Sequence, residues 1–157
     1  MENEFLFLDI GDILTIENRT RDGNDFDEYK IKLLNQILKS TNFNIVWISS
    51  WIRNDDKKVI DSYLREKGFK LFDRINGPVT NDLKYFNYDK FEFDAIKLDL
   101  IKEYNIKYKP IKFLVIDSDP INPDSNNFLA LTRKGLDPIN SVKIIQNYKK
   151  GIYNVID

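Results

Sequence analysis

The segment that decides the fold is Phe5-Leu6-Phe7-Leu8-Asp9-Ile10-Gly11-Asp12-Ile13-Leu14. Large apolar residues run without a break into Asp9, a pattern typical of a strand buried on both faces of a parallel sheet. Such sheets carry their chemistry just beyond the carboxyl ends of the strands, where Asp9 stands. A carboxylate at this point is a candidate nucleophile or magnesium ligand, although a single strand-end aspartate more often only caps a turn.

The strand pattern returns along the chain and alternates with helical spacing. Further apolar runs predict strands at 43–48, 112–117 and 128–131, with a more polar candidate at 69–75. Apolar side chains at three- and four-residue spacing predict helices at 29–40, after 54–56, at 94–104 and at 138–148. This alternation predicts one domain over residues 1–157, a three-layer α/β/α sandwich with a mainly parallel, five-stranded, Rossmann-like sheet.

Three segments between these elements give other signals. Residues 17–28 are rich in turn formers and too short for a cap domain, and Asn76-Gly77-Pro78 predicts a turn after the third strand. Residues 79–93 show no clean period, so we expect a long loop or a short insert there, and residues 76–93 could form at most a small flap. Its aromatic side chains are expected to pack over the core rather than to form a stacking platform for bases.

The composition excludes several chemistries. The chain has no cysteine and no histidine, which excludes disulfides, thiolate zinc sites and the usual serine triad. Catalysis would therefore rest on carboxylates, Lys, Arg, Ser, Thr or Tyr, and any metal would be bound by oxygen. A net charge of -1 gives no broad basic surface. The acidic start and the short apolar run predict neither a signal peptide nor a membrane span, so we expect a soluble, cytoplasmic protein without a membrane partner.

Polar residues follow several of the predicted strands at the edge where their carboxyl ends meet. Asp9 with Asp12 follows the first strand, Ser49-Ser50 the second and Asp117 with Asp119 the fourth, while lysines precede that fourth strand. Each of these features alone also suits a turn, a helix cap or an ordinary surface charge. Together they supply a nucleophile, a hydroxyl donor, a cation and carboxylates for a hard metal, which phosphoryl transfer requires when histidine is absent.

The same residues carry a resemblance to a known family. The chain resembles the haloacid dehalogenase (HAD) superfamily, and more narrowly the HAD phosphatase domain of Swiss Army Knife RNA-repair proteins. The first motif of that domain is similar to Phe7-Leu8-Asp9-Ile10, and its second to Ile45–Trp51 with Arg53. Its later motifs are similar to Val115–Asp119 and to Leu131-Thr132 with Gly135-Leu136. The four matches occur in the family's order and span nearly the whole chain.

The resemblance implies a role for each matched residue. Asp9 would attack phosphorus and form an aspartyl-phosphate, and Ser49 would hold a phosphoryl oxygen with help from the amide of Ile10 or Ser50. The remaining roles are phosphate neutralisation by Lys97, with Lys90 as the alternative, Mg²⁺ binding by Asp9, Asp117, Asp119 and the Gly11 carbonyl, and substrate binding by Arg53 and Arg133.

One departure from the family's first motif bears on activity. The family has Asp-x-Asp-Gly, whereas this chain has Asp9-Ile10-Gly11-Asp12, with the last two residues exchanged. The second aspartate of active members protonates the leaving oxygen, and the residue at that position here is Gly11. Asp12, one residue further on, is the candidate for this task, although its side chain should leave the backbone in another direction.

The sequence therefore supports three interpretations. The first is a Mg²⁺-dependent phosphatase acting on a phosphorylated small molecule, a nucleotide or a nucleic-acid end. The second is a catalytically impaired HAD-like domain that serves as a binding module. The third is a response-regulator-like receiver, which ranks last because the third predicted strand, around Leu71-Phe72-Asp73, lacks the pattern that a receiver requires.

Overall fold

The computed structural model of the protein describes residues 3–16, 24–51, 57–132 and 134–156. Arg53, Arg133 and the predicted helix start at 54–56 lie outside the described residues. The strands are β1 (Glu4–Leu8), β2 (Asn44–Trp47), β3 (Ile75–Pro78), β4 (Lys112–Asp117) and β5 (Phe128–Ala130). The named helices are α1 (Glu28–Lys39), α2 (Lys57–Glu66), α3 (Lys90–Tyr108) and α4 (Pro138–Lys149), with single 3₁₀ turns at Phe72–Arg74 and Leu83–Tyr85.

The five strands form one sheet in the order β3-β2-β1-β4-β5, and every neighbouring pair is parallel. The first strand lies at the centre, and each of its residues is buried, as its unbroken apolar run predicts. Leu8 is in register with Trp47 of β2 and with Ile116 of β4. Because the strands run in the same direction, their carboxyl ends meet at one edge of the sheet.

Helices cover both faces of the sheet and bury two apolar clusters. On one face, Leu6 and Leu8 pack with buried side chains of α1, α2 and α4. On the other face, Phe5 and Phe7 pack with Phe93, Leu100 and Ile101 of α3. Alternate residues of β1 thus point to opposite clusters, as strand geometry requires. The predicted three-layer α/β/α architecture is confirmed.

The third strand is shifted from its prediction. Residues 69–74 are not in a strand, and β3 begins only at Ile75. The predicted turn Asn76-Gly77-Pro78 instead lies within β3, where Val46 is in register with Gly77 and Trp47 with Pro78. This strand lies at the edge of the sheet and contains a register shift between Ile45 and Val46 of its partner. Edge strands and bulges accept Gly and Pro because one side of the strand needs no ladder hydrogen bond.

The segment predicted as a long loop is partly helical. Helix α3 begins at Lys90 rather than Asp94, and a capping box between Asp89 and Glu92 fixes its start. Phe93 is buried against the sheet, whereas Phe86 and Phe91 are 47% and 84% exposed. The prediction that these aromatics pack over the core therefore holds only in part. Among the described residues no cap domain is inserted, and no helix is long and apolar enough to cross a membrane.

Candidate functional site

The carboxyl edge of the sheet brings three predicted site residues to neighbouring strand ends. Asp9 follows β1 directly, and its amide donates a hydrogen bond to the carbonyl of Ile116 at 3.0 Å. Asp117 is the last residue of β4, and Ser49 lies two residues beyond β2. All three side chains are buried. The convergence expected from parallel strands is therefore present.

Lys97 of α3 joins the acidic side chains of this edge. It is 3% exposed, and its Nζ lies 2.8 Å from Asp117 Oδ2, 2.9 Å from Asp94 Oδ1 and 3.7 Å from Asp9 Oδ2. The alternative lysine, Lys90, is largely exposed and pairs with Asp94 Oδ2 at 2.7 Å. Of the two predicted candidates, Lys97 is thus the one at the centre of the cluster.

Asp94 is a member of this cluster that the sequence analysis missed. It lies three residues before Lys97 and four residues after Lys90 on the same helix, and both lysines contact it. Side chains at these spacings are neighbours on a helix surface, so the pattern Lys-x₃-Asp-x₂-Lys carried the signal. It was overlooked because the helix was expected to begin only at Asp94.

The charges of this cluster do not balance. Among the five side chains just named, three carboxylates face two ammonium groups, which leaves an excess negative charge. Burial raises the pKa of Asp9 from 3.8 to about 7, with Lys97 opposing the rise and Asp117 adding to it. Burial alone would lower the pKa of Lys97, but the neighbouring Asp9 and Asp117 outweigh it and raise the pKa above its ordinary value.

Asp94 is perturbed in the opposite direction to Asp9. Burial alone would raise the pKa of its carboxyl group, but hydrogen bonds with Lys90 and Lys97 outweigh burial and lower the pKa overall. Asp94 is therefore the carboxylate that the two lysines satisfy best. The pKa of Asp9, in contrast, is held above its ordinary value mainly by burial.

The predicted phosphate-binding groups already make local hydrogen bonds. The amide of Ile10 donates to Asp9 Oδ1 at 2.9 Å, which holds the carboxylate in one orientation. The hydroxyl of Ser49 accepts from the amide of Trp51 at 3.2 Å, as a helix N-cap does, and Ser50 is the first residue of that helical turn. Accepting one hydrogen bond leaves the O–H of Ser49 able to donate to another group.

The exchanged pair Gly11-Asp12 lies in a tight turn after the nucleophile position. Asp12 is exposed and has a φ of 65°, whereas the φ of Gly11 is not positive. A positive φ is the conformation that glycine adopts most readily, although aspartate tolerates it better than most residues. The backbone therefore places its left-handed residue where the family's glycine would stand, and an aspartate occupies that position.

Two other segments hold this turn in place. The Nζ of Lys30, a buried residue of α1, donates to the carbonyls of Asp12 and Thr15 at 3.1 and 2.7 Å. From the other side, Leu136 donates to the carbonyl of Ile13 at 3.1 Å. A Cβ atom on Gly135 would lie 2.0 Å from the Asp12 carbonyl oxygen, so only glycine fits there. The late Gly-Leu segment thus packs directly on the first motif.

Asp119 differs from the other predicted metal ligands. Its side chain is exposed, and its amide donates to Asp117 Oδ1 at 3.0 Å. Within the described ranges, no group of three or more acidic side chains has the geometry of a metal site. Mg²⁺ nevertheless needs only one or two carboxylates in addition to water. Asp9 and Asp117 fit that requirement, since they are buried oxygen donors in a cluster with excess negative charge.

Comparison with known proteins identifies the family. The family described as "HAD domain in Swiss Army Knife RNA repair proteins" matches residues 5–136. The chain belongs to this HAD family. The matched range includes β1, the Ser49 turn, Lys97, Asp117 and the Gly135-Leu136 contact, and family membership suggests a HAD-type phosphatase. No curated protein and no solved structure matches the chain.

Proposed function

We propose that this HAD domain is a Mg²⁺-dependent phosphatase that acts through an aspartyl-phosphate on Asp9. Its substrate is a phosphomonoester, with a nucleotide or a nucleic-acid end as the class that the family description favours. The observation that carries the proposal is the buried contact of Lys97 with both Asp9 and Asp117 at the carboxyl edge of the sheet. Titratable groups with perturbed pKa values cluster at functional sites, and ligands of open α/β sheets bind beyond the carboxyl ends of the strands.

The proposed chemistry uses these side chains in two steps. In the first, a carboxylate oxygen of Asp9 forms a bond to phosphorus while the bond from phosphorus to the leaving oxygen breaks, and that oxygen takes a proton from Asp12 or from water. In the second, water attacks the phosphorus of the aspartyl-phosphate and releases inorganic phosphate and the free Asp9 carboxylate. Lys97 and the Ser49 hydroxyl would stabilise the charge on the transferred group in both steps.

A divalent cation fits beside Asp9 and Asp117. Because the cluster carries excess negative charge and burial raises the pKa of Asp9 to about 7, part of the cation-free protein holds Asp9 protonated at neutral pH. Bound Mg²⁺ would neutralise that charge and favour the carboxylate form that attacks phosphorus. The carbonyl of Gly11 would be a third oxygen donor. A site built from oxygen alone should prefer Mg²⁺ over Zn²⁺.

The exchanged motif favours a second candidate function, a catalytically impaired domain that binds a phosphorylated ligand. The leaving oxygen needs a proton, and the residue at the family's proton-donor position is Gly11. Asp12 lies one residue on, in the left-handed conformation. Loss of a positioned general acid typically lowers the rate by about 100- to 10,000-fold. A protein of this kind would bind phosphomonoesters with little turnover.

A phosphatase assay separates these two functions. Wild-type protein is tested on an aryl phosphate, nucleoside monophosphates and oligonucleotides with a terminal phosphate, each with Mg²⁺, with Zn²⁺ and with EDTA. We expect Mg²⁺-dependent release of phosphate that Asp9→Asn abolishes. The matched control is Asp73→Asn, which changes an exposed aspartate in the 3₁₀ turn before β3.

Three outcomes are decisive. Equal activity of wild type and Asp9→Asn would refute the proposed nucleophile. Phosphate binding by the wild type without turnover would favour the impaired domain. Neither binding nor turnover with any of these compounds would refute both functions.

A further inference from the structure

A cleft of about 290 Å³ opens beside the charged cluster, between helix α3 and the loop after β4. The buried residues Lys97 and Asp117 lie at its inner end, as their burial shows, whereas Asp119 lies in its exposed part. The other lining residues are Asp94, Ala95, Leu98, Pro120 and Ile121. The cleft therefore extends outward from the same groups that would hold the transferred phosphoryl group.

Helix α3 carries an exposed aromatic side chain one turn before two residues that line this cleft. Residues 91, 95 and 98 follow four- and three-residue spacing, so they share one stripe of the helix. Ala95 and Leu98 of that stripe line the cleft, and Phe91 stands one turn further toward the helix start. Phe91 is 84% exposed, so its ring can be reached by a ligand that extends outward from the cleft.

The lining also limits what the occupant can be. The exposed carboxylate of Asp119 would repel a second phosphate or a carboxylate group on the ligand. It accepts hydrogen bonds, which favours a ligand that offers N–H groups. The side chains of Leu98, Pro120 and Ile121 offer apolar surface, and the volume suits a single ring system rather than a long chain.

We propose that this cleft binds the nucleobase of the substrate, with Phe91 stacking on the base and Asp119 accepting a hydrogen bond from its exocyclic amino group. The inference rests on the proposed function and names its substrate class, a nucleoside monophosphate or the terminal nucleotide of a nucleic acid. It assigns Asp119 to base recognition rather than to the metal. Cytosine carries an amino group where uracil carries a carbonyl, so cytidine is preferred over uridine.

The test measures binding, so that it does not depend on turnover. The full chain with Asp9→Asn is titrated calorimetrically, in the presence of Mg²⁺, with inorganic phosphate, ribose 5-phosphate and the 3′- and 5′-monophosphates of cytidine and uridine. Of the 3′- and 5′-monophosphates of cytidine, we expect the one with the higher affinity to bind at least about 10-fold more tightly than ribose 5-phosphate, because stacking adds to the phosphate contact. We expect it to bind about 10-fold more tightly than its uridine counterpart, because Asp119 accepts a charged hydrogen bond.

Substitutions in the same background identify the groups responsible. Phe91→Ala should weaken cytidine monophosphate binding by about 10-fold and leave ribose 5-phosphate unchanged, whereas Phe91→Trp should restore the affinity. The matched control is Phe86→Ala, which removes an exposed aromatic that precedes helix α3 and is therefore not on the stripe of Ala95 and Leu98. Asp119→Asn should remove the preference for cytidine, because an amide both donates and accepts hydrogen bonds.

The possible failures are distinguishable. If ribose 5-phosphate and the cytidine monophosphates bind equally, or if Phe91→Ala behaves like Phe86→Ala, the cleft is not a base site while the proposed phosphatase still stands. If no phosphate compound, including inorganic phosphate, binds to this variant or to the wild type, the proposed function and this inference are both refuted.

Discussion

Two buried lysines contact the segments around the nucleophile position, and their roles differ. Lys97 of α3 lies within 4 Å of three carboxylates, whereas Lys30 of α1 donates to two backbone carbonyls of the turn that follows Asp9. The first contact sets the charge state of the site, and the second fixes its backbone shape. The two lysines are both less than a tenth exposed, so burial does not distinguish them. They differ in the groups that they contact.

The largest effect is expected from Lys97→Met. Removing this cation leaves Asp9, Asp94 and Asp117 without their shared partner, and breaking a buried ion pair from one side typically costs about 3–5 kcal/mol of unfolding free energy. The loss should be largest near pH 8 and should shrink at acid pH as the carboxylates gain protons. Denaturant unfolding at several pH values measures it. A loss that does not vary with pH would mean that Lys97 acts through packing only.

Asp9→Asn should change stability in the opposite direction. The folded pKa of Asp9 is about 7 against 3.8 for the ordinary group, so the folded state binds the proton more tightly. Wild-type stability should therefore fall as pH rises from about 4 to about 7, by an upper limit of about 4 kcal/mol. The asparagine variant escapes this loss. In EDTA it should match the wild type at pH 4 and exceed its stability at pH 8.

Added Mg²⁺ tests the same group further. Because the cation would bind the ionised carboxylate, it should stabilise the wild type at pH 8 more than it stabilises Asp9→Asn. Equal stabilisation of both proteins would show that the cation does not bind at Asp9. Asp117→Asn should likewise lose Mg²⁺ affinity while its fold persists.

The double change Gly11→Asp, Asp12→Gly tests the backbone shape that Lys30 maintains. It restores a carboxyl group at the family's proton-donor position and places glycine where φ is 65°. We expect Mg²⁺-dependent phosphatase activity to rise about 100-fold or more, the usual size of a general-acid effect. The gain should vanish when Asp9→Asn is added. If the natural sequence is already as active as the restored one, Asp12 reaches the leaving oxygen from its present position.

Lys30→Met should destabilise the protein less than Lys97→Met does. The Asp12 and Thr15 carbonyls lose a donor, which typically costs about 1–3 kcal/mol of unfolding free energy. The part of the loss that comes from these two contacts should not vary with pH between 5 and 8, because carbonyl groups do not titrate. Unfolding of Lys30→Met beside Lys97→Met makes the comparison directly. A pH dependence as steep as that of Lys97→Met would show that Lys30 belongs to the charged cluster.

The sequence predicts the parts of the molecule whose signals are local. An unbroken apolar run marks β1 because both of its faces are buried, and the residues at its end and at the end of β4 follow from the parallel arrangement. The predicted position of the third strand was wrong, because an edge strand can contain Gly77-Pro78, a pair that otherwise indicates a turn. No periodic signal marks that exception.

The site was predicted less completely than the fold. Asp94 was missed because its role depends on where α3 begins, and that start is fixed by the Asp89 capping box rather than by apolar spacing. The hydrogen bond from Lys30 to the Asp12 carbonyl and the close approach of Gly135 to the same carbonyl join segments that are distant in the sequence. Sequence spacing does not specify such contacts. The left-handed turn at Asp12 is a backbone property that aspartate only weakly indicates.

The shape of β3 also bears on how this domain behaves at high concentration. Its outer edge contains Pro78, which has no N–H to offer a further strand, and Gly77, which favours a strand poorly. At the other edge of the sheet, β5 has only three residues. Short or proline-bearing edges are poor templates for an incoming strand. Edge-to-edge aggregation is therefore disfavoured at both sides of the sheet, and replacing Gly77-Pro78 with two β-branched residues should promote it.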